Sequence, residues 1–179
     1  MPCISLPDTL FSSRFDTSIG CGFVLATEKG VCQVILPAWP GHGQPILCTA
    51  PPNMLTRQAA QLLERYFSGT FTEFNDIAID LTAMTPYRCH ILTLIRQIPY
   101  GEARSYVEVA AMAGRPTAAR AVGGAMAANP IPVIVPCHRV VASDGSLTGF
   151  SASGGLIMKK YLLELEKTDF KGEKINLKK

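Results

Sequence analysis

Residues 130–141 read PIPVIVPCHRVV, and this segment limits the fold more than any other. Prolines at 130, 132 and 136 exclude a helix, because each removes a backbone donor and collides with the preceding turn. Ile131, Val133, Ile134, Val135, Val140 and Val141 demand burial. A stiff, extended strap through a core satisfies both conditions, so a domain must be built around it. The strap delivers Cys137 and His138 at its end, just after Pro136, on rigid backbone. A thiol near a histidine can be held partly as thiolate, which is the nucleophile. Adjacent residues of a flat strand face opposite sides, so this pair cooperates only if the chain turns there or a water bridges it. The other reading of the dipeptide is a buried, inert thiol beside an incidental histidine.

At 179 residues, with 47% hydrophobic and 17% charged, the chain reads as globular, with room for one domain or two small ones. Its apolar runs stop well short of a membrane span, and its first residues lack the basic start and apolar core of a secretory signal, so a cytoplasmic location is expected, or a nuclear one in a eukaryote. Six cysteines (Cys3, Cys21, Cys32, Cys48, Cys89, Cys137) are scattered without C-x-x-C pairs. They read as reduced thiols, and a metal site from Cys3, Cys32 and a histidine lacks ligand spacing, so no metal is expected. The net charge of +3 is unevenly spread. Residues 1–83 carry four Lys/Arg against seven Asp/Glu, and residues 84–179 thirteen against seven, which makes the second half the polyanion-binding candidate. Lys167, Lys171, Lys174, Lys178 and Lys179 near the end fit a solvated terminus as well as a DNA contact.

The pattern divides into an α/β domain at 1–83, a mainly helical domain at 84–170 and a tail at 171–179. In the first, runs at 21–27 and 31–36 joined by Glu28-Lys29-Gly30 predict a hairpin. A Pro/Gly-rich loop follows from Trp39 to Pro52, then a helix with Leu55, Ala59, Leu62, Leu63, Tyr66 and Phe67 on one face, then a short strand at Ile77–Leu81. The second domain opens with Thr85 capping a helix whose first residue is Pro86. Ser105-Tyr106-Val107-Glu108 is a capping box that starts another helix, ending at Gly114. A third runs from about Thr117 to Ala128, so the pair reads as a helix-turn-helix. Gly123 and Gly124 cost that last helix roughly 2 kcal/mol relative to alanine. Either close packing against a neighbouring helix or a surface pressed onto a nucleic-acid groove, with Arg120 projecting from it, accounts for its bare composition.

The run Pro136-Cys137-His138-Arg139-Val140 resembles the active-site signature of the methylated-DNA–protein-cysteine methyltransferases. The likeness extends upstream through Gly101-Glu102, Ser105-Tyr106, Ala118–Met126 and Asn129-Pro130. Downstream it takes in Asp144–Gly149, Gly154-Gly155-Leu156 and Leu162-Leu163. It is strong over 84–167 and holds only in outline over 1–83. The resemblance implies an N-terminal α/β domain with a ribonuclease H-like arrangement and a helical, winged-helix-like domain containing the helix-turn-helix and the active site. It also implies DNA repair without a cofactor: an alkyl group passes from O6-alkylguanine in double-stranded DNA, with O4-alkylthymine the second candidate lesion, to Cys137, once per molecule. By the same carry-over His138 acts through a water as base, Glu166 orients it, Tyr106 donates to the flipped guanine, and Asn129 holds the turn that places Cys137. Arg120 enters the base stack. Ala119, Gly123, Gly124, Ala125, Tyr106 and Arg139 face DNA along the minor groove. The carbonyls of Cys137 and Val140 accept from the guanine amino group, and Phe150 walls the base. Neither a membrane nor an obligate protein partner is implied, and a monomer suffices.

The pattern departs at Phe150-Ser151-Ala152-Ser153, where close relatives have a shorter segment containing Tyr; no hydroxyl is therefore assigned to the guanine oxygen. Two rival readings remain open. A Cys–His hydrolase would turn over repeatedly and would need oxyanion donors. A DNA-damage sensor would bind the lesion without accepting the alkyl group.

Overall fold

The computed structural model describes residues 10–39 and 49–177, so most of the Pro/Gly-rich loop, together with Cys3, Cys48, Lys178 and Lys179, lies outside the described residues. The chain divides into two compact units, Met1–Leu81 and Thr82–Lys179.

The first unit is an antiparallel sheet in the order β1 (Phe11–Thr17), β2 (Gly20–Ala26), β3 (Val31–Ile35), followed by helix α1 (Met54–Phe67). The β2–β3 hairpin is the one predicted. Strand β1 was not anticipated, and it pairs with β2 along its whole length, from Phe11 opposite Ala26 to Thr17 opposite Gly20. Gly22 makes that pairing possible: a Cβ there would sit 2.2 Å from the Phe15 ring, which lies across it. Asn53 caps α1 in a capping box with Thr56. Ala59, Leu63, Tyr66 and Phe67 turn inward, and the aromatic cluster continues from Phe15 to Phe67 (6.0 Å between centroids) and from Tyr66 to Phe74 (6.0 Å). The strand predicted at Ile77–Leu81 reduces to an isolated parallel bridge between Val31 and Ile79. Its backbone runs so close to Gly30 that a Cβ there would meet the Ile79 carbonyl carbon at 2.6 Å.

The second unit holds α2 (Pro86–Arg96), β4 (Arg104–Ser105), α3 (Tyr106–Met112), α4 (Ala119–Ala127), β5 (Val140–Val141), α5 (Gly155–Leu165) and a small hairpin of β6 (Phe170–Lys171) and β7 (Lys174–Ile175). Thr85 caps α2 with Pro86 in its first turn, and Ser105 and Glu108 form the predicted capping box of α3. Helix α4 packs against both α2 and α3. β4 and β5 pair in parallel. No helix of the described residues is long and apolar enough to cross a membrane.

Two expectations change here. The segment 131–135 is not extended: Val135 N–H donates to the Ile131 carbonyl and Val133 adopts φ 73°, which closes a tight, fully buried turn. That is an uncommon conformation for a β-branched residue, held by the packing around it. The residues read as a tail are folded through 177. Ile175 is buried with Ala103, Val141 and Leu163, and its carbonyl lies so close to Gly145 that a Cβ there would meet it at 2.2 Å.

Candidate active site

Cys137–Arg139 form one turn of 3-10 helix directly after the buried turn, with Arg139 N–H donating to the Pro136 carbonyl (2.9 Å). The chain therefore does bend at the Cys-His pair. Cys137, 7% exposed, lines a cavity of about 230 Å³ together with Tyr106, Gly123, Met126, Ala127, Gly149, Phe150 and Ser151. Asn129 fastens it from α4's end. Its Nδ2 donates to the Val135 carbonyl (2.9 Å) and lies 3.2 Å from Cys137 Sγ, while its Oδ1 accepts from Ile131 N–H (3.1 Å). Burial pushes the Cys137 thiol pKa up. The hydrogen bond from Asn129, the charge of Lys159 and the nearby backbone N–H groups work in the other direction.

His138 is fully buried and its Nε2 lies 2.7 Å from Glu166 Oε1. Glu166 is the C-cap of α5 and is itself buried. Arg139 grips the same carboxylate with two nitrogens, Nε to Oε2 (2.8 Å) and Nη2 to Oε1 (2.9 Å), and its Nη1 donates to the Ile98 carbonyl. Burial alone would raise the Glu166 carboxyl, but His138 and Arg139 hold it well below the usual carboxylate range. The His138 imidazole is pushed down, chiefly by burial and further by Arg139 and Lys159, with Glu166 opposing. Glu164, two residues before Glu166 on α5, is exposed and pairs with Lys160.

Lys159 was missed. It is fully buried, and its Nζ donates to the carbonyls of Val140 (2.6 Å), Thr148 (2.7 Å) and Gly149 (3.5 Å), tying the cavity wall to the strand that follows the cysteine turn. Burial lowers its pKa to about 8, with Cys137 opposing. Helical spacing would have found it: Lys159, Leu162, Leu163 and Glu166 stand at i, i+3, i+4 and i+7, the inner stripe of α5. The Tyr106 hydroxyl donates to the same Thr148 carbonyl (3.2 Å).

The residues assigned to DNA separate into two groups. Arg120 and Gly124 are exposed on α4, Ala119 and Gly123 half-buried. A Cβ at Gly124 would meet nothing within 4 Å, and one at Gly123 would reach only ordinary contact with the Tyr106 ring at 3.7 Å. Internal packing therefore does not require these glycines. Ala125 and Arg139 are corrections. Ala125 lies on the inner face of α4 with Val122 and Met126, and the Arg139 guanidinium is consumed by Glu166. Val140 is fully buried, is not among the cavity-lining residues, and accepts from Lys159 on its carbonyl. No cluster of three or more metal-ligating side chains occurs among the described residues.

Residues 86–168 match the family model for the DNA-binding domain of 6-O-methylguanine DNA methyltransferase. A methylated-DNA–protein-cysteine methyltransferase of Mycobacterium leprae (strain TN) is 48% identical over 148 residues, which span 83% of each chain. The chain belongs to the methylated-DNA–protein-cysteine methyltransferases. Crystal structures of methyltransferases of this family share the mixed α/β fold: the Mycobacterium tuberculosis O6-methylguanine methyltransferase superposes with a TM-score of 0.73 at 37% identity over 89% of this chain and 93% of that one. The M. tuberculosis OGT in complex with DNA superposes with a TM-score of 0.72 at 38% identity, covering 88% and 92%.

Proposed function

We propose that this methyltransferase repairs DNA by accepting the alkyl group of O6-alkylguanine on Cys137. The observation that carries this reading is a buried thiol, held on a rigid turn by Asn129, at a cavity walled by Tyr106 and Phe150. The thiol gives its proton to His138 through a water. The sulfur then attacks the alkyl carbon in line, the carbon–oxygen bond breaks, and the guanine leaves with the electron pair. Tyr106 eases that departure by hydrogen bonding, and overall the thiol's proton passes to the guanine. The product thioether is not readily reversed by water, so each molecule acts once.

A base inside a duplex cannot reach a buried sulfur, so the damaged nucleotide must be extruded, at a cost of a few kcal/mol. The open space over Gly124 and the exposed Arg120 support α4 as the element laid in the minor groove, with Arg120 filling the vacated stack. In this reading the three-stranded sheet and α1 are a reduced ribonuclease H-like domain, and α3–α4 with the β4–β5 pair are the helix-turn-helix of a winged-helix-like one.

The test is incubation with duplex DNA carrying one O6-methylguanine, followed by intact and peptide mass measurement. One methyl per molecule on the Cys137 peptide, absent from Cys137→Ala, is the expected result. Tight lesion binding without a mass gain would make the protein a sensor.

A further inference from the structure

Arg139 follows the nucleophile and the histidine directly, yet its side chain points into the protein. It joins two segments: its nitrogens reach both oxygens of Glu166 at the end of α5 and the Ile98 carbonyl in the α2–β4 connection, where its guanidinium carbon also stands 5.7 Å from the Tyr100 ring centroid. An ionised carboxylate offers about four acceptor positions and no donor. Arg139 Nη2 and His138 Nε2 meet Glu166 on Oε1, and Arg139 Nε and the Gly101 N–H (3.1 Å) meet it on Oε2. Because the carboxylate only accepts, His138 must donate from Nε2, and a neutral imidazole with its proton there keeps its lone pair on Nδ1.

We infer that Arg139 is a positioning residue for the transfer: by occupying and neutralising Glu166 it presents His138 as a neutral imidazole protonated on Nε2, ready to take a proton on Nδ1. The inference rests on the alkyl-transfer reading and replaces the DNA contact expected of Arg139. Glu166 facing His138 without a cation would favour the imidazolium, which has no lone pair to accept a proton. The other charged or titratable groups around His138 are Lys159 from α5 and Cys137 from its own turn, with Tyr100 across the Arg139 guanidinium. Glu166 favours the charged ring, and Arg139 and Lys159 oppose it. A lysine at 139 would keep the charge but not the planar fork that grips both oxygens.

The experiment uses the full chain labelled with 15N-histidine, with His138 assigned through His138→Gln, alongside single-turnover methyl transfer as a function of pH. In the wild type, His138 should be neutral with its proton on Nε2 at pH 7. In Arg139→Met it should be an imidazolium at pH 7, with the acid limb of the transfer profile raised by roughly one unit or more. In Arg139→Lys it should stay neutral while transfer slows by roughly tenfold to a hundredfold. A wild-type ring that is already an imidazolium, or protonated on Nδ1, overturns the inference. So does a folded Arg139→Met with unchanged tautomer and pH profile. Should the methionine variant not fold, the wild-type tautomer and the lysine variant decide. A wild type with the expected tautomer but no methyl transfer would instead overturn the alkyl-transfer reading, and Arg139's role in transfer with it.

Discussion

The two units bury different things. In the first, the buried polar side chains among the described residues are hydroxyls, Ser12, Thr27, Thr56 and Thr72, and the core is aromatic and aliphatic around Phe15, Leu63 and Tyr66. In the second, the interior holds His138, Arg139, Lys159 and Glu166. Replacing buried ionic groups by well-packed apolar ones is often neutral or stabilising, so three of them gathered with a histidine around one turn are poor evidence of a need for stability. Their distribution says what each core is for. One holds a shape, and the other holds the orientation and protonation of a few atoms.

That contrast can be broken most forcefully at Glu166. Glu166→Ala leaves the Arg139 charge buried without its counterion, and it should cost about 3–5 kcal/mol in denaturant unfolding. It should also slow methyl transfer in the surviving folded protein about a hundredfold or more. Phe15→Ala sharpens the comparison from the other side. It empties the space over Gly22 and should also cost about 3–5 kcal/mol, but single-turnover transfer measured well below the melting temperature should match wild type. If that rate falls as far as it does for Glu166→Ala, the division of labour is wrong. Lys159→Met should have the smallest effect, about 1–3 kcal/mol, since three carbonyls lose a donor while the methionine fills the space.

Lys159 also has a signature in pH. Its folded pKa near 8 lies below the roughly 10.4 of an unfolded lysine, so between those values the unfolded chain binds more protons. Stability should therefore rise with pH across that window. The slope should vanish in Lys159→Met, with Cys137→Ala in both proteins to remove the thiol's own titration.

Much of this was legible where chemistry is local. Thr85 with Pro86, and Ser105 with Glu108, announce their helices within four residues. Strand β1 was harder because Phe11-Ser12-Ser13-Arg14 has no β-branched residue, and Ser12 is buried through a hydrogen bond to the Ala50 carbonyl, 38 residues away. The turn at Val133 runs against that residue's own preference, so nothing local announces it. Arg139 was misplaced for a related reason: its partner Glu166 stands 27 residues downstream, and a cation beside a catalytic pair in a basic half reads naturally as a phosphate contact. Ala125 was misplaced although its spacing from Val122 was informative. Composition suggested that the helix faces DNA, but only periodicity says which of its residues do.

The burial of Cys137 bears on how long such a molecule keeps. A protein that reacts once has a shelf life, set by every stray oxidant or electrophile that finds its sulfur first. Burial holds this thiol largely protonated and screened from solvent, so it discriminates poorly activated encounters from the one that arrives in a fitted base, and the unused protein stays armed.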